Sequence, residues 1–168
     1  MKNKSYIVTA LSVFSFMIFL YTCSFFFIIQ ISSSVTPGIY LKKSVPETIA
    51  IGQMVLFEIP PEIKSFMIDR QWIPSHVTYY LMKPVAAKSG DHISVTDKGI
   101  FINKIFKGSV KNFDQQGLIL PQYHFNGDLK QNTYFLLASA HNSFDSRYFG
   151  PIHKRSIISI VEPFILFP

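Results

Sequence analysis

The sequence predicts a single membrane-crossing helix followed by a compact, mainly β domain, and three observations lead there. Residues Tyr6 to Gln30 run without a charge. From Ile39 onward, short runs of alternating apolar residues recur between Pro, Gly, Asn and Asp turns. No extended stretch beyond the first repeats with the helical period. A chain of 168 residues holds one anchor and one core, since a domain usually takes about 100 to 150 residues. The expected division is a tail over 1–5, a span over 6–30 and a domain over 31–168.

A helix rises about 1.5 Å per residue, so the uncharged run is long enough for a hydrocarbon core of roughly 30 Å. The alternatives are a cleaved secretory signal, whose apolar region is usually only about 7 to 15 residues, and a buried core helix. Lys2 and Lys4 precede the run, which holds the tail in the cytoplasm by the positive-inside tendency and places the domain outside. Lys42 and Lys43 lie beyond the span, but within a folded domain that need not obey the short-loop rule. The one cysteine, Cys23, sits in the apolar run, which rules out an internal disulfide and a cysteine metal site.

The expected strands are Ile39 to Leu41, Met54 to Ile59, Val77 to Val85, His92 to Val95, Gly99 to Ile102, Tyr134 to Ala138 and Ile157 to Val161. Pro60-Pro61, Ser89-Gly90-Asp91, Asp97-Lys98-Gly99 and Asn126-Gly127-Asp128 read as the turns between them. The net charge of +6 is scattered from Lys42 to Arg155 with acids between. That pattern lacks a phosphate-tracking stripe, so nucleic acid is not an expected partner and anionic lipid is. The five histidines show no ligand spacing and no Gly-rich phosphate loop occurs, so neither metal nor cofactor is expected.

Three segments hold candidate chemistry. Ser32, Ser33 and Ser34 follow the span and lead into Pro37-Gly38; alone, they read as a polar turn at the membrane surface, and a nucleophile there needs a partner. Lys83 is a candidate partner, because in an extended strand it shares a face with Tyr79, Leu81 and Val85. A free lysine has a pKa of about 10.4, and desolvation can lower it by up to roughly 3 to 5 units, enough to supply a neutral amine that accepts a serine proton. The alternative is a lysine snorkelling from an edge strand. In the third segment, Asn142 to Pro151, Asp145 and Arg147 are placed to form a local salt bridge, and Ser143 offers a small hydroxyl for aiming an amine. A Ser/His/Asp arrangement using His141 and Asp145 is compatible with the composition, since triads are set by geometry and not by chain order.

In this order the segments resemble the type I signal peptidase family, and within it the conjugative-transfer, TraF-type branch. Ser34-Val35-Thr36-Pro37 looks like the family's nucleophile box, and Pro37-Gly38-Ile39-Tyr40 is similar to the ending of the transfer branch. Leu81 to Asp91 looks like the lysine box, whose base stands eight residues before the aspartate, which selects Lys83 over Lys88. Ser143 to Pro151 matches the transfer-branch signature, and Asp114 to Pro121 resembles another stretch of that branch. Three departures stand out: Pro84 for the usual Arg, Ser89 for the usual Pro, and Ala138-Ser139-Ala140-His141 for the wider family's Gly-Asp-Asn-Arg.

The resemblance implies a signal-peptidase-like β domain with Ser34 as nucleophile and Lys83 as general base. It also implies Ser143 as orienter of Lys83, Ser32 as a helper in the oxyanion hole, and Asp145 with Arg147 as a structural pair. The expected activity is cleavage of secreted or pilin precursors at the outer face of a bacterial inner membrane, with a preprotein or prepilin as partner and no cofactor. The alternative is a non-catalytic, single-span component of a secretion or pilus channel. A self-cleaving repressor with the same chemistry would need a helix-turn-helix reader, and nothing here resembles one.

Overall fold

The computed structural model describes residues 2–32, 34–76 and 79–167. Helix α1 (Lys2–Phe26) is exposed from Tyr6 to Phe26 except at the half-buried Cys23, and Tyr6–Phe26 is long and apolar enough to cross a membrane. The uncharged run does not fold as one helix, however. Its last four residues form strand β1 (Phe27–Gln30), which pairs antiparallel with β2 (Gly38–Lys43) from Phe27 opposite Leu41 to Gln30 opposite Gly38. The exit from the helix is satisfied from the sheet, because Lys42 Nζ donates to the Ser24 carbonyl at 2.7 Å, near the helix C-terminus where a cation is favoured. The hairpin loop between β1 and β2 carries Ser32 and Ser34; Ser33, Val77 and Thr78 lie outside the described residues.

The chain continues through β3 (Met54–Glu58), helix α2 (Pro61–Asp69), β4 (Tyr80–Lys88), β5 (His92–Thr96), β6 (Gly99–Ile102), β7 (Ile105–Gly108), β8 (Phe125–Asp128) and β9 (Thr133–Leu136). A single turn α3 (Ser146–Phe149), the short β10 (Ile152–His153), a 3₁₀ turn and the long β11 (Ile157–Leu166) complete it. One sheet runs β1-β2-β11-β3-β4-β9-β10 and the other β7-β6-β5-β8. The expected Val77 start of β4 falls at residues that are not described; the strand begins at Tyr80, so Tyr79 precedes it.

Three expectations are corrected. Pro60-Pro61 is not a plain turn: Pro61 occupies the first helical position, where its missing N–H costs nothing, and opens α2. Ile63, Phe66 and Met67 then recur at helical spacing and pack with Ile59, Ile73, Trp72 and Phe144. Asn126-Gly127-Asp128 is not a turn but most of β8, with Gly127 opposite Ile93 of β5; tertiary pairing overrides the local signal. Strand β7 was not expected, and the two-residue turn Asn103-Lys104, with both residues at positive φ, folds it back on β6.

Two main cores meet at β4 and β9. Val85, Tyr134 and Leu136 join Val55, Phe57, Ile152 and Ile160 in one, while Ala87 and Phe135 join Ile93, Val95, Ile100 and Ile102 in the other. On β9 the alternation of a strand explains the division, since successive side chains face opposite ways. On β4, Val85 and Ala87 would share a face in a regular strand, and the register irregularity between them in the pairing with β9 is where the two cores part. Strand β4 is thereby held from both sides, with β3 and β9 as its neighbours. A side chain at its middle has little freedom to move.

Candidate active site

Lys83 is at that middle, opposite Val55 of β3, and is 3% exposed. Along its strand it shares a face with Leu81 and Val85, so an apolar face carries the amine. Burial lowers its pKa from 10.5 to about 8; the nearby Asp145 carboxylate pulls it back up and the Arg147 guanidinium pushes it down. At neutral pH roughly a tenth of such an amine is uncharged, against about one part in three thousand for a free lysine. The amine donates to Ser34 Oγ at 2.5 Å. Once neutral, its lone pair can receive the serine proton across the same contact.

Ser34 is held from two directions. Tyr40, buried in β2, donates its hydroxyl to the Thr36 carbonyl at 2.7 Å, which pins the loop just past Ser34. On the other side Gln30 Nε2 donates to Ser32 Oγ at 2.6 Å, and Ser32 Oγ is 3.2 Å from Ser34 Oγ. A hydroxyl that accepts from an amide keeps its own proton to give. Gln30 and Tyr40 were not singled out from the sequence; the signal for Gln30 was a lone amide at the end of a long apolar run.

The segment after β9 lies near Lys83, since Leu137 N–H donates to the Pro84 carbonyl and both Asp145 and Arg147 act on the lysine charge. Asp145, fully buried, accepts from Arg147 Nε at 2.7 Å and Nη2 at 3.0 Å and from the Ala138 N–H at 3.1 Å. Arg147 also donates to the Ala138 and Ser109 carbonyls. With Asp145 engaged in this way, no described hydrogen bond joins it to His141, and the His141/Asp145 triad is not formed. The orienting bond implied for Ser143 is not made either: Ser143 is 1% exposed and its Oγ has no partner among the described residues. The Lys83 amine is turned to Ser34, and the Ser143 N–H is tied to the Ala140 carbonyl in a tight turn.

The three sequence departures fit their places. Pro84 contributes a carbonyl to Leu137, beside the irregularity at Val85/Ala87 where β4 pairs with β9. Ser89 is the second residue of a turn closed by Asp91 N–H on the Lys88 carbonyl, with Gly90 at φ 90, a position where Pro is favoured but Ser fits. Ala138 holds the ion pair through its backbone alone, so the stretch it opens needs no particular side chain there.

A cavity of about 420 Å³ opens elsewhere, between the loop carrying Lys111 to Leu120 and the segment carrying Asn142 to Tyr148. Ser143 is in its wall; Ser34 and Lys83 are not. The loop is braced by Asp114, which accepts from the Gln116 and Leu118 N–H groups and pairs with Arg70 of the turn after α2 at 3.1 Å. Among the described residues no cluster of three or more His, Cys, Asp or Glu is arranged to hold a metal.

A serine on the amine of a buried lysine, in a β scaffold that follows an apolar helix, narrows the class. The sequence model of the family described as signal peptidase, peptidase S26, matches residues 3–165, and the chain belongs to that family. It is 29% identical over 146 residues to a plasmid transfer protein TraF of Escherichia coli, covering 80% of each chain. A second Escherichia coli protein of that name is 32% identical over 147 residues, covering 82% of this chain and 81% of the other. The conjugal transfer protein TraF of Agrobacterium tumefaciens (strain 15955) is 29% identical over 138 residues, covering 77% of each. A solved signal peptidase I of Enterococcus faecalis V583 aligns over 69% of this chain and 98% of its own, with a TM-score of 0.40 and 16% identity.

Proposed function

We propose that this protein is a membrane-anchored serine endopeptidase in which Lys83 activates Ser34. The observation that carries the reading is the 2.5 Å contact between Ser34 Oγ and the amine of a lysine that burial has brought to a pKa of about 8. Neutral Lys83 takes the Ser34 proton as Oγ attacks the scissile carbonyl carbon. The Ser34 N–H and the Ser32 hydroxyl stabilise the oxyanion, and one such donor can be worth roughly 10²- to 10³-fold in rate. The C–N bond then breaks, Lys83 passes its proton to the leaving amine, and water resolves the ester. Asp145 and Arg147 hold the segment beside the lysine.

The anchor brings Ser34 to the membrane-water boundary, with residues 1–5 cytoplasmic and the β domain on the outer face of a bacterial inner membrane. A membrane-borne precursor is then concentrated at the site. Strand β1 is the edge of its sheet and ends four residues before Ser34, so its unpaired backbone groups offer an extended substrate a partner. The names of the TraF relatives point to conjugative transfer and a pilin precursor as the substrate to try first.

The test is processing of a pilin precursor, co-expressed from the same genome, by wild type, Ser34→Ala and Lys83→Ala, with the product read by mass spectrometry. Processing by wild type alone is expected. Equal processing by all three would remove both residues from the mechanism and favour a non-catalytic assembly component.

A further inference from the structure

The cavity between the 111–120 loop and the 142–148 segment has neither Ser34 nor Lys83 in its walls. Its walls include Trp72, Phe113, Phe144 and Tyr148. Trp72 and Phe144 meet edge to face at 5.2 Å, and Phe144 stacks on Tyr148 at 5.1 Å, so the apolar wall is preformed. Ser143, whose buried hydroxyl has no partner among the described residues, is also a wall residue.

Charge points to the ligand. Asp114 in the wall is already neutralised by Arg70, whereas the Lys111 ammonium has no ion pair or hydrogen bond among the described residues, although its backbone N–H is anchored on the Tyr148 hydroxyl. The lining therefore includes one uncompensated positive charge beside an aromatic wall. The cavity is also coupled to the reacting groups. Phe144 packs in one cluster with Leu81, two residues before Lys83 on the same strand face, and Ser143 lies in the segment whose charges act on Lys83.

We infer that this cavity is a second recognition subsite for the peptide substrate, seating a large apolar side chain whose neighbouring residue carries a carboxylate. The inference rests on the peptidase reading for the word substrate, but not for the binding itself. The loop carrying Asp114 to Pro121, which the dyad leaves without a task, forms one jaw of the subsite.

Trp72 is the only tryptophan in the chain, so its fluorescence reports occupancy directly. The full chain in detergent micelles is titrated with the amides of acetyl-Phe-Glu, acetyl-Phe-Gln and acetyl-Ala-Glu. Acetyl-Phe-Glu amide should change the emission saturably and acetyl-Ala-Glu amide should not. Replacing Glu by Gln in the probe, or Lys111→Gln in the protein, should weaken binding by roughly two- to five-fold, the worth of one partly exposed ion pair. Gln115→Phe, at an exposed rim position, should abolish the response by filling the mouth. An unchanging emission, or a change that Lys111→Gln and Gln115→Phe leave untouched, overturns the subsite. In precursor processing, Lys111→Gln should raise KM and leave kcat alone; an unchanged KM overturns its role toward the substrate. Failure of the wild type to process any precursor would instead remove the peptidase reading, with the fluorescence deciding the cavity by itself.

Discussion

Lys83 Nζ lies 2.5 Å from Ser34 Oγ although 49 residues separate the two and strands β11 and β3 stand between β2 and β4 in the sheet. The contact exists because the β1–β2 hairpin loop is held toward the middle of β4, pinned by the Tyr40 hydroxyl on the Thr36 carbonyl. The lysine is a wall residue of a packed strand and the serine is on a loop. Positioning of the pair thus depends on how that loop is held.

Under the proposed mechanism, the pH dependence of processing follows from the lysine. Only the neutral amine can accept the Ser34 proton, and burial sets its pKa at about 8. We expect kcat/KM to rise about tenfold per pH unit below that value and to level above it, as for a single essential base. A profile that is flat from pH 6 to 9 would show that Lys83 does not act as the base.

The same burial makes Lys83 a burden on stability. Its folded pKa is below the unfolded one, so between about 8 and 10.5 the unfolded chain holds a proton that the folded chain has lost, and stability rises with pH through that window. Below pH 8 the folded state bears the whole cost of a charged buried amine, on the order of 3 kcal/mol from the shift. Lys83→Met should therefore be inactive and melt higher than wild type at pH 7, with the gap narrowing by pH 10. A variant that melts lower at pH 7 would contradict this.

The legible and illegible parts of the molecule divide along local and distant determinants. Strand β6 falls where alternation placed it, Gly99 to Ile102, because its pattern and its turns agree. Strand β8 was hidden because Asn126-Gly127-Asp128 carries a strong local turn signal that pairing with β5 overrides, with His92 Nδ1 on Asp128 and Nε2 on Asn126 across the ladder. The residue spacing of the lysine box pointed to Lys83, and its apolar strand face was readable from Leu81 and Val85. That Gln30 would reach Ser32 was not readable, since it follows from the helix ending at Phe26 instead of Gln30. The cavity was invisible in sequence because its walls come from Trp72, the 111–120 loop and the 142–148 segment, far apart in the chain.

Gly38 should be more sensitive for activity than for folding. It pairs with Gln30 on one side and Leu166 on the other, and a Cβ there would run into the Ile165 carbonyl oxygen. Gly38→Ala must push β11 away from β2 at the end of the hairpin that presents Ser34. A displacement of about 1 Å at reacting atoms can cost about 10²-fold, so a roughly 10- to 100-fold fall in kcat is expected while the β domain stays folded by circular dichroism. Wild-type kcat in the folded variant would show that the hairpin tolerates the shift.

The Asp145–Arg147 pair yields a prediction with two readouts that a purely structural brace would not move together. Both side chains are buried, and Arg147→Ala leaves the Asp145 carboxylate without its partner, a loss of about 3–5 kcal/mol that should show as a much lower urea midpoint. Arg147→Lys should rescue little, because an ammonium cannot reproduce the fork that meets both Asp145 oxygens and the Ala138 carbonyl. In whatever fraction folds, the acid limb of the pH profile should move to higher pH, since Arg147 lowers the Lys83 pKa. Asp145→Asn should also destabilise but move that limb the opposite way, because Asp145 raises the same pKa. Two variants that both weaken the fold yet shift the profile in opposite directions would place the pair in electrostatic contact with the base; limbs that stay together would confine it to holding the loop.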